Sequence, residues 1–288
     1  MIDINYIFIL YIFLISLFLN LIFFIVAFFL KSDAFTDITY ALTFILIATI
    51  ILIWKQNVSL IQIIIYVLVL MWSIRLGTYL LIRILKVKVD HRFDKIRNSF
   101  FKFLGFWILQ AISVFLIILP ASFALFINSK YFDSRNYYTL LFFAISLFGL
   151  VIETISDIQK YSYYQNIPAD SKFINTGLWK ISRHPNYFGE IVFWMFLTIG
   201  FLFNLILKNY ENNSLILLNL LWLLSPIYIL LLINFVSGVP LLEINSYQKL
   251  KNNSNYNHYV KKTSTFIPFL GKKGHILRVK KIIKHEKK

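Results

Sequence analysis

The chain is expected to fold as an all-α integral membrane protein, a bundle of about seven transmembrane helices, on three observations. Hydrophobic residues make up 59% of it and charged residues only 15%, with a mean hydropathy of +0.71, far from the balance of ordinary soluble domains. Apolar runs of roughly 16 to 25 residues, long enough to cross a hydrocarbon core, recur from one end to the other. Lysine and arginine concentrate in alternate connections between those runs. The chain of 288 residues has no cysteine, so a disulfide framework and a thiolate-bound metal are excluded, and no metal site is expected.

The spans are expected at about 6–30, 38–53, 58–85, 103–127, 138–155, 188–207 and 215–235. The first is too long for a signal-peptide core and lacks a basic leader, so it is read as retained. The second ends at Trp54, whose amphipathic ring suits the membrane interface. The third carries Arg75 and Arg83 near its end and opens into a strongly basic loop, Lys86 to Lys102. After the fourth, the fifth is expected to close near Asp157, and roughly thirty residues of little apolar character lead to the sixth. One membrane domain is expected, with spans to residue 130 on the substrate side, 131–270 on the cofactor side, and 271–288 as a basic tail.

The segments after spans one, three and five, with the C-terminal tail, hold about 23 Lys and Arg, against about 4 on the other side. The positive-inside rule then places the N-terminus outside or in a lumen and the C-terminus in the cytosol, in the plasma membrane of a bacterium or the endoplasmic reticulum of a eukaryote. The formal net charge of +16 is mostly this cytosolic side. It is read as attraction to anionic headgroups and not as nucleic-acid binding, because the charges flank spans and no recognition module accompanies them.

The stretch with the densest chemistry is GLWKISRHPNYFGE, residues 177–190. Pro185 suits the first position of a helix, where its missing N–H costs nothing, so the sixth helix is expected to begin at His184 or Pro185. Arg183 and His184 then lie beside a positive dipole end, a setting for phosphate. Asn186 and Glu190 are four apart and share a face, where a carboxamide and a carboxylate can grip another carboxamide such as that of nicotinamide. Gly189 between them permits close approach of a ligand or a backbone. Taken singly, Arg183 and His184 read equally as headgroup contacts and Glu190 as the partner of an arginine; taken together the cluster reads as a site.

This stretch resembles the signature of the steroid 5-alpha-reductase C-terminal-like family, in the branch once catalogued as a domain of unknown function. WSIRLGTYLLIR at 72–83, DHRFDKIR at 90–97, DIQK at 157–160, FVSGVPLLE at 235–243 and HYVKKTSTFIPF at 258–269 match in order and spacing. The resemblance implies NADPH held on the cytosolic half and a lipid-like enone entering from the bilayer, with hydride passing to the β carbon of the conjugated ketone. It assigns Asn186 and Glu190 to the nicotinamide end, Asp157 as a cofactor-contacting acid, and Arg183, His184, Tyr187 and Tyr259 to the cofactor cleft. It assigns Arg75 to a phosphate. By the same likeness an acid and a tyrosine polarise the ketone, and Asp37 and Tyr66 are the candidates; the first also reads as a helix-start acid and the second as a packing aromatic. After DIQK the family offers a further basic residue, where this chain has YSYYQN, so the preference for NADPH over NADH is weakened. A monomer is expected.

Two other classes remain open. Membrane methyltransferases of the isoprenylcysteine and phospholipid type use a similar RHPxYxG turn to hold S-adenosylmethionine, although they carry paired glutamates where this chain has Glu243 alone. A lipid-binding or transport protein without chemistry would instead show intramembrane charges along a pathway or repeat symmetry.

Overall fold

In the computed structural model the described residues are 6–87, 96–132, 136–165, 173–208, 220–236 and 238–268, and among them the structure is helical, with one isolated β-bridge and no strand. Six helices are long and apolar enough to cross a membrane: α1 (Tyr6–Phe29), α2 (Ala34–Trp54), α3 (Leu60–Val87), α4 (Phe100–Phe126), α5 (Tyr137–Gln165) and α6 (Pro185–Lys208). They answer to the first six expected spans. The seventh expected span, 215–235, corresponds in its described part to the shorter apolar run Leu221–Phe235. That run passes from one 3-10 turn into α7 (Leu224–Leu231) and ends in a π-helical turn, Leu232–Val236. Two further helices, α8 (Val239–Leu250) and α9 (Ser254–Lys262), are too polar and too short to cross. Residues 88–95 of the basic loop and the basic tail lie outside the described residues.

The chain divides into two compact units, 1–144 with 196–226, and 145–195 with 227–288. The division cuts through α5 and α6.

In the first unit α1 packs along α4 and α2 along α3 and α4. Its apolar centre includes Phe24, Ala27, Phe103 and Trp107. Inside a membrane a buried polar group must find its partner within the protein. Ser16 donates to the Ala111 carbonyl at 2.8 Å, and Gln110 donates to Asn20 Oδ1 and to the Thr36 carbonyl, both at 3.0 Å. Gln62 donates to the carbonyls of Ala124, Leu125 and Ile127 at the end of α4, which no following turn can satisfy. The turn after α1 closes on Lys31, at φ 47°, with Ser32 N–H on Ala27 O and Lys31 N–H on Phe28 O. This pair of bonds ends the helix and lets α2 begin three residues on.

The second unit is built on the crossing of the later part of α5 with the start of α6. Ser146 donates to the Phe193 carbonyl at 2.8 Å. A Cβ on Gly189 would stand 2.6 Å from Gly149 O and 2.7 Å from Glu153 N, and one on Gly149 would stand 2.7 Å from Phe193 N. The two glycines thus bring the backbones into direct contact, the small-residue packing of membrane helices.

Candidate functional site

On that crossing four polar side chains form a ladder. Glu153 and Asp157 are four apart on α5, Asn186 and Glu190 four apart on α6, so each pair shares a face. Asn186 Nδ2 donates to Asp157 Oδ1 at 3.2 Å. This bond orients the carboxamide, and its oxygen, Asn186 Oδ1, is buried and accepts no hydrogen bond from the described residues. Glu153 and Asp157 are buried, Asn186 and Glu190 half-buried. Asp157 was expected at the end of its span; α5 instead runs on to Gln165, which sets Asp157 inside the helix. Hydropathy falls after residue 155, but the helix continues because its hydrogen bonds do not depend on the apolar content that marks a span.

The helix start is where the sequence places it, with Pro185 as the first residue of α6. Ahead of it Ser182 pairs with Ser264 in the parallel bridge, Arg183 N–H donates to Ser264 O at 2.9 Å and His184 N–H to Thr265 O at 3.1 Å. The segment after α9 is thereby laid along the turn. The Arg183 guanidinium donates through Nη1 to Glu243 Oε2 and through Nη2 to Thr265 Oγ1, both at 2.7 Å. His184 Nε2 lies 2.8 Å from Glu243 Oε1. Arg183, His184 and Glu243 are all buried. Burial pulls the His184 imidazole below its ordinary pKa, against the opposing pull of Glu243. The neutral ring with its proton on Nε2 is then the form that donates to Glu243.

Arg183 and His184 are therefore held by the protein itself, and Arg183 Nε is a buried donor with no acceptor among the described residues. Glu243 on α8 organises both, and Thr265 completes the arrangement; neither stood among the candidates read from the sequence. The signal for Glu243 was its isolation, since it is the one acid between Glu211 and Glu286, and an isolated carboxylate in an apolar setting needs a partner.

Tyr187 stacks on His184 with ring centroids 5.7 Å apart. Tyr259 donates to the Trp179 carbonyl at 2.6 Å, and burial raises its pKa, which keeps the donating proton in place. Trp179 in turn donates to the Ser156 carbonyl and faces Lys160, whose ammonium lies 5.3 Å from the ring centroid. The second unit thus brings together Asp157, Arg183, His184, Asn186, Tyr187, Glu190 and Tyr259.

Asp37, Tyr66 and Arg75 belong to the first unit. Tyr66 shares a hydrogen bond of 3.2 Å with Thr49. Asp37 is twelve residues from Thr49 on the same helix, about 18 Å along the axis. Asp37 and Tyr66 are consequently not brought to one carbonyl. A cavity of about 720 Å³ opens in this unit, with apolar walls from Phe8, Ile12 and Ile51 and a polar rim that includes Lys55 and Asn57. Neither Asp37 nor Tyr66 lines it.

Among the described residues no group of His, Asp or Glu has the geometry to hold a metal ion. No match was found among curated proteins or among solved structures. A family model does match, over residues 23–263, and takes in the ladder together with Arg183, His184, Glu243 and Tyr259. The chain belongs to that family, described as protein of unknown function (DUF1295).

Proposed function

We propose that the protein is a membrane-embedded reductase that uses NADPH to reduce the conjugated carbon–carbon double bond of a steroid-like or other lipid enone. The observation that carries this reading is Asn186: its amide is oriented by Asp157, and its buried Oδ1 is left to accept a hydrogen bond. A carboxamide N–H is the donor that fits it, and the nicotinamide ring carries one. Bound there, the cofactor would supply the hydride.

The chain's own residues orient and shield. Asp157 fixes which way the Asn186 amide points, Glu190 stands one turn further on the same face, and the glycine crossing excludes water from behind them. Arg183 Nε, a buried donor without an acceptor among the described residues, is the group that would meet a phosphate oxygen. Low dielectric around the site strengthens each of these bonds. The concentration of Lys and Arg on one side supports a cytosolic cofactor site.

NADPH titration of the detergent-solubilised protein tests this reading. Asn186→Ala and Glu190→Gln should each weaken binding about tenfold, the loss of one buried hydrogen bond to a polar ligand, with the helical circular dichroism unchanged. If both variants bind NADPH as the parent does, the assignment fails.

A second reading has one observation in its favour. Arg183 and His184 are both tied to Glu243, while Glu153, Asp157 and Glu190 stand on the α5–α6 crossing, so the acids named at the site outnumber its bases. That balance suits the sulfonium of S-adenosylmethionine and a methyl transfer to a lipid. Saturable binding of S-adenosylmethionine without NADPH binding would establish it.

A further inference from the structure

A second, chemically different hollow lies in the unit that holds the ladder. A cavity of about 710 Å³ opens between the single 3-10 turn Gly177–Lys180 and α9. α9 has two distinct stripes. Tyr256 and Val260 are buried and pack with Leu250, Phe173 and Tyr259. Asn255, His258, Tyr259 and Lys262, at helical spacings of three, four and seven, line the cavity, and Lys180 and Asn175 line it from the other side.

Among the described residues no aspartate or glutamate lines it. Two lysines and a histidine therefore share one hollow with no described carboxylate beside them, and Glu243 of the same unit is already held by Arg183 and His184. A lysine in the last turn of a helix is favoured by the helix dipole, which accounts for Lys262 alone. It does not account for Lys180, which belongs to a different segment. Like charges around a hollow are relieved by an anion that touches all of them. The asparagine amides add hydrogen-bond donors without adding charge. The hollow is much larger than an inorganic phosphate, so the anion is the end of a larger molecule.

We propose that this cavity binds a phosphomonoester carried on a larger molecule, with Lys180 and Lys262 as its charge-bearing contacts and His258 as a hydrogen-bond partner. A dianionic phosphomonoester answers the convergence of cations better than the single charge of a carboxylate or a phosphodiester. The ester has two sources, the headgroup of a phosphatidate-type lipid or a soluble nucleoside monophosphate. The site stands on its own lining and does not depend on what the α5–α6 ladder holds.

The test uses the full chain in nanodiscs of phosphatidylcholine, titrated separately with dihexanoyl phosphatidate and with adenosine 2′-monophosphate. At least one probe binds saturably, and the one that binds identifies the source. The double variant Lys180→Gln/Lys262→Gln weakens that binding about tenfold or more, the loss of charge-assisted hydrogen bonds. The charge-matched variant Lys249→Gln/Lys251→Gln, whose residues do not line the cavity, leaves it within about twofold. The variant Lys180→Arg retains it, and Lys180→Gln alone carries the comparison should the double variant not fold. Absence of saturable binding by either probe overturns the proposal, as does equal weakening in both double variants, which would reduce the effect to net charge.

Discussion

Burial holds His184 neutral at pH values where an exposed histidine begins to take up a proton, and the consequence is a pH-dependent stability. The ordinary pKa is 6.5 and the folded value lies below it. Above about 6.5 the ring is neutral folded or unfolded, so it adds no pH dependence there. Below it the unfolded chain binds a proton that the folded chain refuses, and stability falls with pH until the folded value is passed. The unfolding midpoint in detergent should therefore decline as pH drops from about 6.5 toward about 5, and His184→Gln should flatten that decline. An equal decline in the variant would assign the effect to other groups. The sequence marked His184 and Arg183 but not their partner, because Glu243 lies on α8 and only packing brings it across. The same holds for Asn186: its spacing to Glu190 was legible, while the direction of its amide depends on Asp157 of another helix.

At the scale of the elements, the site exists because α5 and α6 touch backbone to backbone. At Gly189 the nearest obstacles to a Cβ are Gly149 O and Glu153 N, main-chain atoms that cannot turn aside. Gly189→Ala should push the helices apart, cost about 1–3 kcal/mol of stability, and abolish whatever binds at the ladder. Gly105 in α4 meets nothing within 4 Å, so Gly105→Ala should be neutral or stabilising by up to about 1 kcal/mol, the gain in helix propensity. Thermal unfolding of the two variants side by side gives the comparison, and equal midpoints would remove the crossing from the account. The start of α6 was legible because proline at a first helical position has a local cause. The end of α5 was not, because hydropathy marks where a helix leaves the membrane and not where its hydrogen bonds stop.

For the molecule as a whole, charge asymmetry makes a topological prediction that the absence of native cysteine lets one test directly. Thr176 and Lys130 are both exposed and lie in successive connections, after the fifth and after the fourth long helix. In intact cells, a membrane-impermeant thiol reagent should label Lys130→Cys and spare Thr176→Cys, which should react only once the membrane is opened. The reverse pattern would put the ladder on the outer face, away from the nucleotide pool that the reductase reading requires. The exposed apolar side chains of the long helices, Phe18, Phe29 and Phe148 among them, are those that lipid would cover.

The order of amino acids alone identifies the membrane as the medium in which this protein folds, the first six long helices, the start of α6 and the shared face of Asn186 and Glu190. These follow from hydropathy summed over a window and from helical spacing, both properties of neighbouring residues. Packing between helices settles that Arg183 and His184 turn inward to Glu243, that Asp157 aims the Asn186 amide, and that Tyr66 of α3 meets Thr49, about 18 Å along α2 from Asp37. Each of these is a contact, or a missed contact, between residues far apart in the chain. Such contacts are set by how helices pack, here by two glycines that let backbones meet, and no local pattern encodes the distance between them.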